Sequence, residues 1–342
     1  MTTSTFLLCL PLWAFASSDK IVNVYLFSGE VPDSVVREFE AKTGIKVNYT
    51  AYDSNETMYA KLKAKKNPGY DVIQPSSYFI DKMRQEDMLQ KIDKSKLKHF
   101  GELDPRLLDK AYDPKNDYSI PYLWGITGIF ANSAYYPKGS ITSWAQFWDK
   151  RFTNQLLLAN DPREFFSITL LTLGYSINDT NPKHIKEAYE KMQQLLPNIK
   201  IFNSAAATSI IIDEDAYVGM AWNGDVYKAN KENPNVQFIF PEDGFIIWVD
   251  NLAIPKNAPH LENAYAFLNF VMQAKNTAQA TINYGYASAN LKAKEFLPKS
   301  IKNNPIIYPS EKVLAQGEFQ KDIGQDALKL YEKYWELLKI SA

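Results

Sequence analysis

A strand-like apolar run, Phe245-Ile-Ile-Trp248-Val-Asp250-Asn-Leu-Ala-Ile-Pro255, contains a tryptophan and, two residues later, a carboxylate. Side chains at positions i and i+2 of a β-strand lie on the same face, so Trp248 and Asp250 are expected to point into one space. An indole ring and a carboxylate attract the same positive charge, which makes this face suitable for an organic cation. A buried carboxylate needs a partner, and a nearby lysine or a backbone amide is the alternative that involves no ligand.

The N-terminal part of the chain alternates strands and helices. Apolar alternation predicts strands at 20–27, 45–52 and 70–75, and amphipathic patterns predict helices at 35–42 and 55–65, the second capped by Asn55. Strands that alternate with helices in this way form a parallel sheet with right-handed crossovers.

A second α/β pattern begins near Trp144. We expect strands at 155–159, 216–222, 236–240 and 245–254, and helices from 163, at 184–195, from 223, and at 261–273, 277–284 and 322–338. Two α/β lobes joined through strand-like segments at 125–131 and 250–255 predict a cleft crossed by hinges. Ligands of open α/β sheets bind beyond the carboxyl ends of the strands, which would face that cleft.

Composition argues against one class of function and favours another. The 342 residues include 38 Lys and Arg against 39 Asp and Glu, a net charge of −1, which argues against a nucleic-acid binder. Aromatic residues make up 14% of the chain, more than a core alone requires, and such a surplus is typical of a ligand cleft.

The first residues have the pattern of a secretory signal peptide. A short apolar stretch ends in Ala14-Phe15-Ala16 and is followed by polar residues, which predicts cleavage after Ala16. The single cysteine, Cys9, lies inside this segment, so the mature chain is expected to lack disulfides and thiolate metal sites. We therefore expect export to the periplasm.

Other aromatic, acidic and serine residues fall at or just beyond the predicted strand ends. They are Phe27, Ser28, Ser76, Tyr78, Asp161, Glu164, Trp222 and Tyr286. Each has a purely structural alternative: Asp161 and Glu164 have the spacing of a capping box, Ser76 follows Pro75 as a helix cap would, and Trp222 and Tyr286 suit packing. Catalytic motifs such as G-x-S-x-G, the P-loop and H-E-x-x-H are absent from the sequence. Carboxylates among aromatics also describe a glycoside hydrolase, which is the rival class.

Four long motifs point to a family. They are Thr43-Gly-Ile-Lys-Val-Asn-Tyr-Thr-Ala-Tyr52, Ser54-Asn-Glu-Thr-Met-Tyr-Ala-Lys-Leu62, Tyr118-Ser-Ile-Pro-Tyr-Leu-Trp-Gly125 and Trp248-Val-Asp-Asn-Leu-Ala-Ile-Pro255. With these motifs the chain resembles the spermidine/putrescine-binding periplasmic proteins of bacterial polyamine importers, from about Asn23 to the C-terminal helix.

The resemblance implies a type II periplasmic binding protein with two lobes, each a mixed, mainly parallel sheet flanked by helices, and a ligand cleft between them. It implies lobes at 17–131 plus about 252–305 and at 132–251 plus about 306–342, after a signal peptide at 1–16. Partners would be a polyamine and the membrane permease of an ABC transporter, with no nucleic acid, no cofactor, no metal and no catalytic residue.

The resemblance also implies a role for each contact. Aromatic walls would be Phe27, Tyr78, Trp222, Trp248 and Tyr286; charge partners would be Asp161, Glu164 and Asp250; polar contacts would be Ser28, Ser76 and Gln320. Glu30 stands where the family pattern has a tyrosine. It either points inward as a further acid for an amine or outward as a solvated loop charge, the more usual fate of a glutamate. Another small cation, or ferric iron held through Tyr284 and Tyr286, is the alternative ligand.

Overall fold

The structure, a computed structural model, describes residues 20–27, 29–52, 54–66 and 68–341. The predicted signal peptide with Cys9 and the predicted contact Ser28 lie outside these ranges. Within them the chain alternates strands and helices around two β-sheets.

The strands, numbered in chain order, are β1 Ile21–Phe27, β2 Lys46–Tyr52, β3 Val72–Ile73, β4 Ile120–Asn132, β5 Leu156–Leu158, β6 Ile199–Phe202, β7 Val218–Trp222, β8 Val236–Ile239, β9 Phe245–Leu252, β10 Ala287–Ser288 and β11 Gly317–Phe319. The α-helices are α1 Asp33–Thr43, α2 Asn55–Lys65, α3 Ser77–Gln85, α4 Pro162–Thr172, α5 Pro182–Leu195, α6 Ala207–Ile212, α7 Asn223–Glu232, α8 Leu261–Val271, α9 Ala274–Tyr284, α10 Lys299–Lys302, α11 Glu311–Leu314 and α12 Gly324–Ser341. Short 3-10 helices connect several of them.

The smaller sheet is parallel, as the sequence predicts. Its order is β2-β1-β3, and β1 pairs in parallel with both neighbours. Val22, Val24 and Leu26 are fully buried along β1. Helix α1 ends at Gly44, whose φ of 67° places it in the left-handed conformation that glycine tolerates best.

The larger sheet is mixed, but it is not mainly parallel. Its order is β11-β9-β4-β7-β5-β6, and β4 also pairs with β8 and β10. The long strand β4 runs antiparallel to β7, β8, β9 and β10, whereas β5 is parallel to β6 and β7, and β11 to β9. The expectation fails here because the central strand β4 is antiparallel to every strand that it pairs with.

Apolar side chains collect in separate buried clusters on the two sheets. One contains Val22, Phe39 and Phe267 beside the smaller sheet; another contains Trp144, Phe165 and Tyr331 around β5, α4 and α12. These two cores and the antiparallel strands that run between them give the two-lobed α/β architecture that the sequence predicts.

Strand ends from both sheets face the same space. Phe27 ends β1, residues 74–76 follow β3, Trp222 ends β7, and Asp161 comes three residues after β5. The topology therefore brings side chains that are far apart in sequence to one cavity, as expected for the carboxyl ends of parallel strands.

Candidate functional site

A cavity with an empty volume of about 550 Å³ lies at these strand ends. Its walls are formed by Phe27, Glu30, Ser54, Asn55, Ser76, Tyr78, Asp161, Glu164, Trp222, Trp248, Asp250, Tyr286 and Gln320. Every site residue predicted from the sequence that the structure describes is therefore at this cavity, together with Ser54 and Asn55, which the sequence reasoning missed.

Trp248 and Asp250 point into the cavity from the same face of β9, as their spacing predicts. Gly125 lies opposite Trp248 in the neighbouring strand β4. A Cβ atom at Gly125 would lie 2.3 Å from Cζ2 of Trp248, so the indole occupies the space that the missing side chain leaves. Tyr286 packs edge-on against the indole, with ring centroids 4.9 Å apart and an interplanar angle of 80°. The aromatic wall is thus fixed by packing before any ligand arrives.

The partner of Asp250 is a hydroxyl rather than a lysine or a backbone amide. Ser76 Oγ donates a hydrogen bond to Asp250 Oδ1 at 2.6 Å and accepts one from Asn55 Nδ2 at 3.0 Å. Burial raises the pKa of Asp250 to about 7, although the Ser76 hydrogen bond acts in the opposite direction. The carboxylate is therefore undercompensated at neutral pH.

Ser76 and Asn55 both differ from their predicted capping roles. Ser76 occupies the N-cap position of α3 but makes no side-chain cap bond, because its hydroxyl is used between Asn55 and Asp250. Asn55 is the first residue of α2, and the cap is Ser54, whose Oγ accepts from the Thr57 amide at 3.2 Å. The Asn55 amide is thus free to donate to Ser76 and, at 3.2 Å, to the hydroxyl of Tyr78.

Glu30 points inward, so the solvated-loop interpretation is wrong. Its side chain is buried, lines the cavity and accepts a hydrogen bond from Gln74 Nε2. Burial and, as a smaller effect, the charge of Asp250 raise the pKa of Glu30 well above its ordinary value. The turn before α1 therefore adds an acid to the cavity where the family pattern has a phenol.

Asp161 and Glu164 stand at the N-terminus of α4. Asp161 Oδ1 accepts a hydrogen bond from the Glu164 amide at 3.1 Å, so Asp161 is both a helix cap and a wall of the cavity. Glu164 does not complete a capping box; its side chain lies beside Thr127 and Trp222, and among the described residues its Oε2 has no hydrogen-bond partner. Burial, followed by the charge of Asp161, raises the pKa of Glu164 to about 8. A buried carboxylate oxygen without a donor favours a proton or a cation beside it.

One resident cation lies next to this helix start. Arg163 is almost fully buried, and its guanidinium lies 5.6 Å from the ring centroids of Tyr78 and Tyr331. Its Nη2 donates to Asn178 Oδ1 and to the Lys321 carbonyl, both at 3.2 Å. The charge of Arg163 lowers the pKa values of Asp161 and Glu164, against the larger effect of burial.

The remaining predicted residues close the cavity. Phe27 tilts against Tyr52 with ring centroids 4.4 Å apart, and Trp222 is half-buried at the junction of β7 and α7. Gln320 is buried just after β11, with its backbone amide donating to the Ile247 carbonyl at 3.1 Å. Rings and acids therefore line the same cavity.

The chemistry of the walls favours a positively charged organic ligand. Among the described residues, none of the four cavity acids Glu30, Asp161, Glu164 and Asp250 forms an ion pair with Lys or Arg. No group of three or more His, Cys, Asp or Glu suited to a metal ion occurs in the part of the chain that the structure describes. Within the same ranges, every helix is too short or too polar to cross a bilayer.

The two missed residues had a signal in the sequence. Ser54 and Asn55 are adjacent, and a helix start needs only one side-chain cap. The second of two consecutive cap-forming residues is then available for another role, and this pair begins one of the four motifs that carry the family resemblance.

Comparison with known proteins agrees with this geometry. The family of bacterial extracellular solute-binding proteins matches residues 34–309. The chain is 43% identical over 326 residues to the spermidine/putrescine-binding periplasmic protein of Salmonella typhimurium, covering 95% of this chain and 93% of the relative. It is 32% identical over 344 residues to a putrescine-binding periplasmic protein of Pseudomonas aeruginosa, covering 95% and 94%.

A solved structure extends the comparison to the fold. The spermidine/putrescine ABC transporter substrate-binding protein of Streptococcus pneumoniae superposes with a TM-score of 0.81 at 30% sequence identity. The match covers 94% of this chain and 99% of that protein. Both lobes of the architecture are therefore shared.

Proposed function

We propose a ligand and a role for this chain within the bacterial extracellular solute-binding protein family, to which it belongs. It captures a polyamine, spermidine or putrescine, in the cavity described above and delivers it to the permease of an ABC transporter. The family is one of solute-binding proteins rather than enzymes, and we propose no catalytic activity. The similar proteins are periplasmic by name, and we place this chain in the periplasm as well.

The observation that carries the proposal is a set of buried acids that form no ion pair with Lys or Arg in the described part of the chain. Glu30, Glu164 and Asp250 are each at least nine-tenths buried, and Asp161 is half-buried beside them. Leaving such charges unpaired is costly, so the cavity is built to receive positive charge from outside.

The aromatic walls favour a polyamine over a simple metal cation. A polyamine carries protonated nitrogens separated by methylene links, so its binding site must alternate carboxylates with apolar faces. Trp222, Trp248 and Tyr286 offer ring faces and edges within the same cavity as the acids. Each ammonium over a ring contributes about 0.5–2 kcal/mol, and loss of one partner of a buried charge pair costs about 2–5 kcal/mol. The acids should therefore dominate affinity and the rings should select the linear chain.

Closure of the two lobes follows from the same contacts. The cavity takes Ser76 and Tyr78 from the smaller sheet's side and Asp161 and Trp222 from the larger sheet's side. A ligand that touches both sides binds the closed form better than the open form and shifts the equilibrium towards it. We take the lobes as 17–131 plus about 252–305 and 132–251 plus about 306–342. Their closure changes the shape of the protein, and the permease recognises the ligand-bound form by that shape. Small-angle scattering should show compaction on addition of spermidine; an unchanged radius of gyration would argue against closure.

Calorimetry with putrescine and spermidine tests the proposed ligand. We expect saturable binding of at least one of them, and no binding of 1,4-butanediol, which has the four-carbon chain of putrescine without its charges. A thermal-shift panel with spermine, ferric iron and oligosaccharides, and an assay for release of reducing sugar, covers the other ligands and the glycosidase alternative. A melting temperature that no polyamine raises would refute the proposal.

A further inference from the structure

Two acids of the cavity lie near each other. Glu30, from the turn between β1 and α1, and Asp250, from β9, are 8% and 5% exposed and line the same cavity. They lie near enough that the charge of Asp250 raises the pKa of Glu30. Two carboxyl oxygens can share a hydrogen bond only when one of the groups carries a proton.

Few other donors reach the pair. Gln74 Nε2 donates to Glu30, and Ser76 Oγ donates to Asp250. The nearby hydroxyls of Tyr49, Tyr52 and Tyr122 donate instead to the backbone carbonyls of Phe27, Gln74 and Glu30. Among the described residues, the pair therefore has one neutral side-chain donor for each carboxyl group, too little to hold two negative charges in a buried site.

The charged and titratable groups that act on the pair, or on the tyrosines around it, come from several elements. They are Asp33 on α1, Tyr49 and Tyr52 on β2, Tyr122 on β4, Asp225 and Lys228 on α7, Tyr284 on α9, and Tyr286 just after it. Lys228, the basic member of this group, is bonded to Asp225 at 3.1 Å. Burial raises the pKa of each of these five tyrosines, so they stay neutral near pH 7.

We propose that Glu30 and Asp250 share one proton in the ligand-free protein and release it when an ammonium group of the ligand binds beside them, so that capture is coupled to proton release. This rests on the proposed polyamine ligand. The O–H bond of the protonated carboxyl group breaks, the proton passes to water, and the ammonium keeps its own protons. The charge of the pair changes from −1 to −2, and the ligand compensates it.

A second cavity offers a route for the proton. This cavity, with an empty volume of about 920 Å³, shares Glu30, Trp222 and Tyr286 with the first and extends to Ser204 and Lys228. Glu30 therefore borders both spaces. A tyrosine at this position would hold its proton throughout the neutral range, because its unperturbed pKa is about 10. The coupling is thus specific to the glutamate.

The direction of the pH effect follows from linkage. The free pair binds more protons than the bound pair, so affinity rises with pH wherever the pair is still protonated. The increase approaches tenfold per pH unit for one released proton. It fades once the free pair has lost its proton.

Calorimetry in two buffers of different ionisation enthalpy counts the released protons. Near neutral pH, where the free pair holds one proton under this proposal, we expect the wild type to release about one proton more per polyamine than Glu30→Gln or Glu30→Tyr. Glu164, with a pKa raised to about 8, also releases a proton when the ligand binds, and it does so equally in the wild type and in both variants. Glu295→Gln, the same change at an exposed site, should match the wild type.

The outcomes separate this inference from the proposed function. Polyamine binding with equal proton release in the wild type and Glu30→Gln would overturn the coupling and leave the ligand assignment standing. If no polyamine binds the wild type, both fail. Should the variants not fold, the number of protons released by the wild type decides. Release of no more than one proton per polyamine, which Glu164 alone can supply, would overturn the coupling, and release of more than one would support it.

Discussion

The two acid pairs of the cavity are compensated in different ways. Asp161, in the Asp161–Glu164 pair, is held by the protein itself: backbone N–H groups of Arg163 and Glu164 and the Arg163 guanidinium all act to lower its pKa against burial. Within the part of the chain that the structure describes, the side-chain donors to the Glu30–Asp250 pair are one hydroxyl and one amide. A charge that the protein already compensates gains less from a ligand cation than one that it does not.

This difference ranks the acids. A helix N-terminus stabilises negative charge at a fixed position, and Arg163 adds a permanent positive charge next to it. Asp250 has neither, and burial raises its pKa to about 7. We therefore expect the ligand to interact more strongly with Asp250 than with Asp161, and the predictions below test that order.

The largest effect is expected at Asp250. Asp250→Ala removes the buried partner of a ligand ammonium and should weaken polyamine binding by about 2–5 kcal/mol, or roughly 30-fold to several thousand-fold. Trp248→Phe keeps an aromatic ring in place and should cost no more than about 0.5–2 kcal/mol. Calorimetry on both variants gives the order.

Two further variants make this comparison specific. Asp250→Asn removes the charge without leaving a cavity and should weaken binding similarly, whereas the exposed Glu295→Gln should have no effect. A larger loss for Trp248→Phe than for Asp250→Ala would mean that the rings, and not the acids, dominate affinity.

A smaller effect is expected from a change at Gly125, the residue that leaves space for the Trp248 indole. In Gly125→Ala the new Cβ would lie 2.3 Å from Trp248 Cζ2 and 2.6 Å from Asn223 Oδ1, so the indole must move. Overpacking of this kind costs about 1–3 kcal/mol of unfolding free energy, and affinity should fall with it. Denaturant unfolding and calorimetry measure the two losses.

Gly101→Ala is the matched control, because no atom lies within 4 Å of its added Cβ. It should leave both quantities nearly unchanged. If Gly125→Ala binds polyamine as tightly as the wild type, the position of Trp248 does not matter to the ligand.

Local patterns predicted the regular elements well. The strands at β1, β2 and β9 and the helices α1, α2 and α5 lie within a few residues of their predicted bounds, because apolar period and capping residues are local signals. The short strands β10 and β11 were not predicted. They exist through pairing with β4 and β9, which lie far away in sequence.

Which residues line the cavity could be predicted from the sequence, but the direction in which the Glu30 side chain points could not. Trp248 and Asp250 share a face by strand geometry alone, so that part followed from the sequence. Whether Glu30 points inward depends on Gln74, 44 residues away, and on the neighbouring Asp250 of β9. Such long-range contacts leave no local pattern, and the more usual fate of a glutamate was the wrong guide.

The smallest effect separates the two roles of Asp161. Asp161→Asn keeps a good N-cap and removes the charge, so it should weaken polyamine binding, by less than Asp250→Asn does, with little loss of stability. Asp161→Ala removes the cap as well and should also lower the unfolding free energy by about 1 kcal/mol. Asn181→Ala removes the equivalent cap of α5, where Asn181 Oδ1 accepts from the Lys183 amide at 3.0 Å, and should cost similar stability without any loss of affinity. If Asp161→Asn weakens binding as much as Asp250→Asn, the compensation by Arg163 and the helix does not set the order of the acids, and the two pairs are equivalent to the ligand.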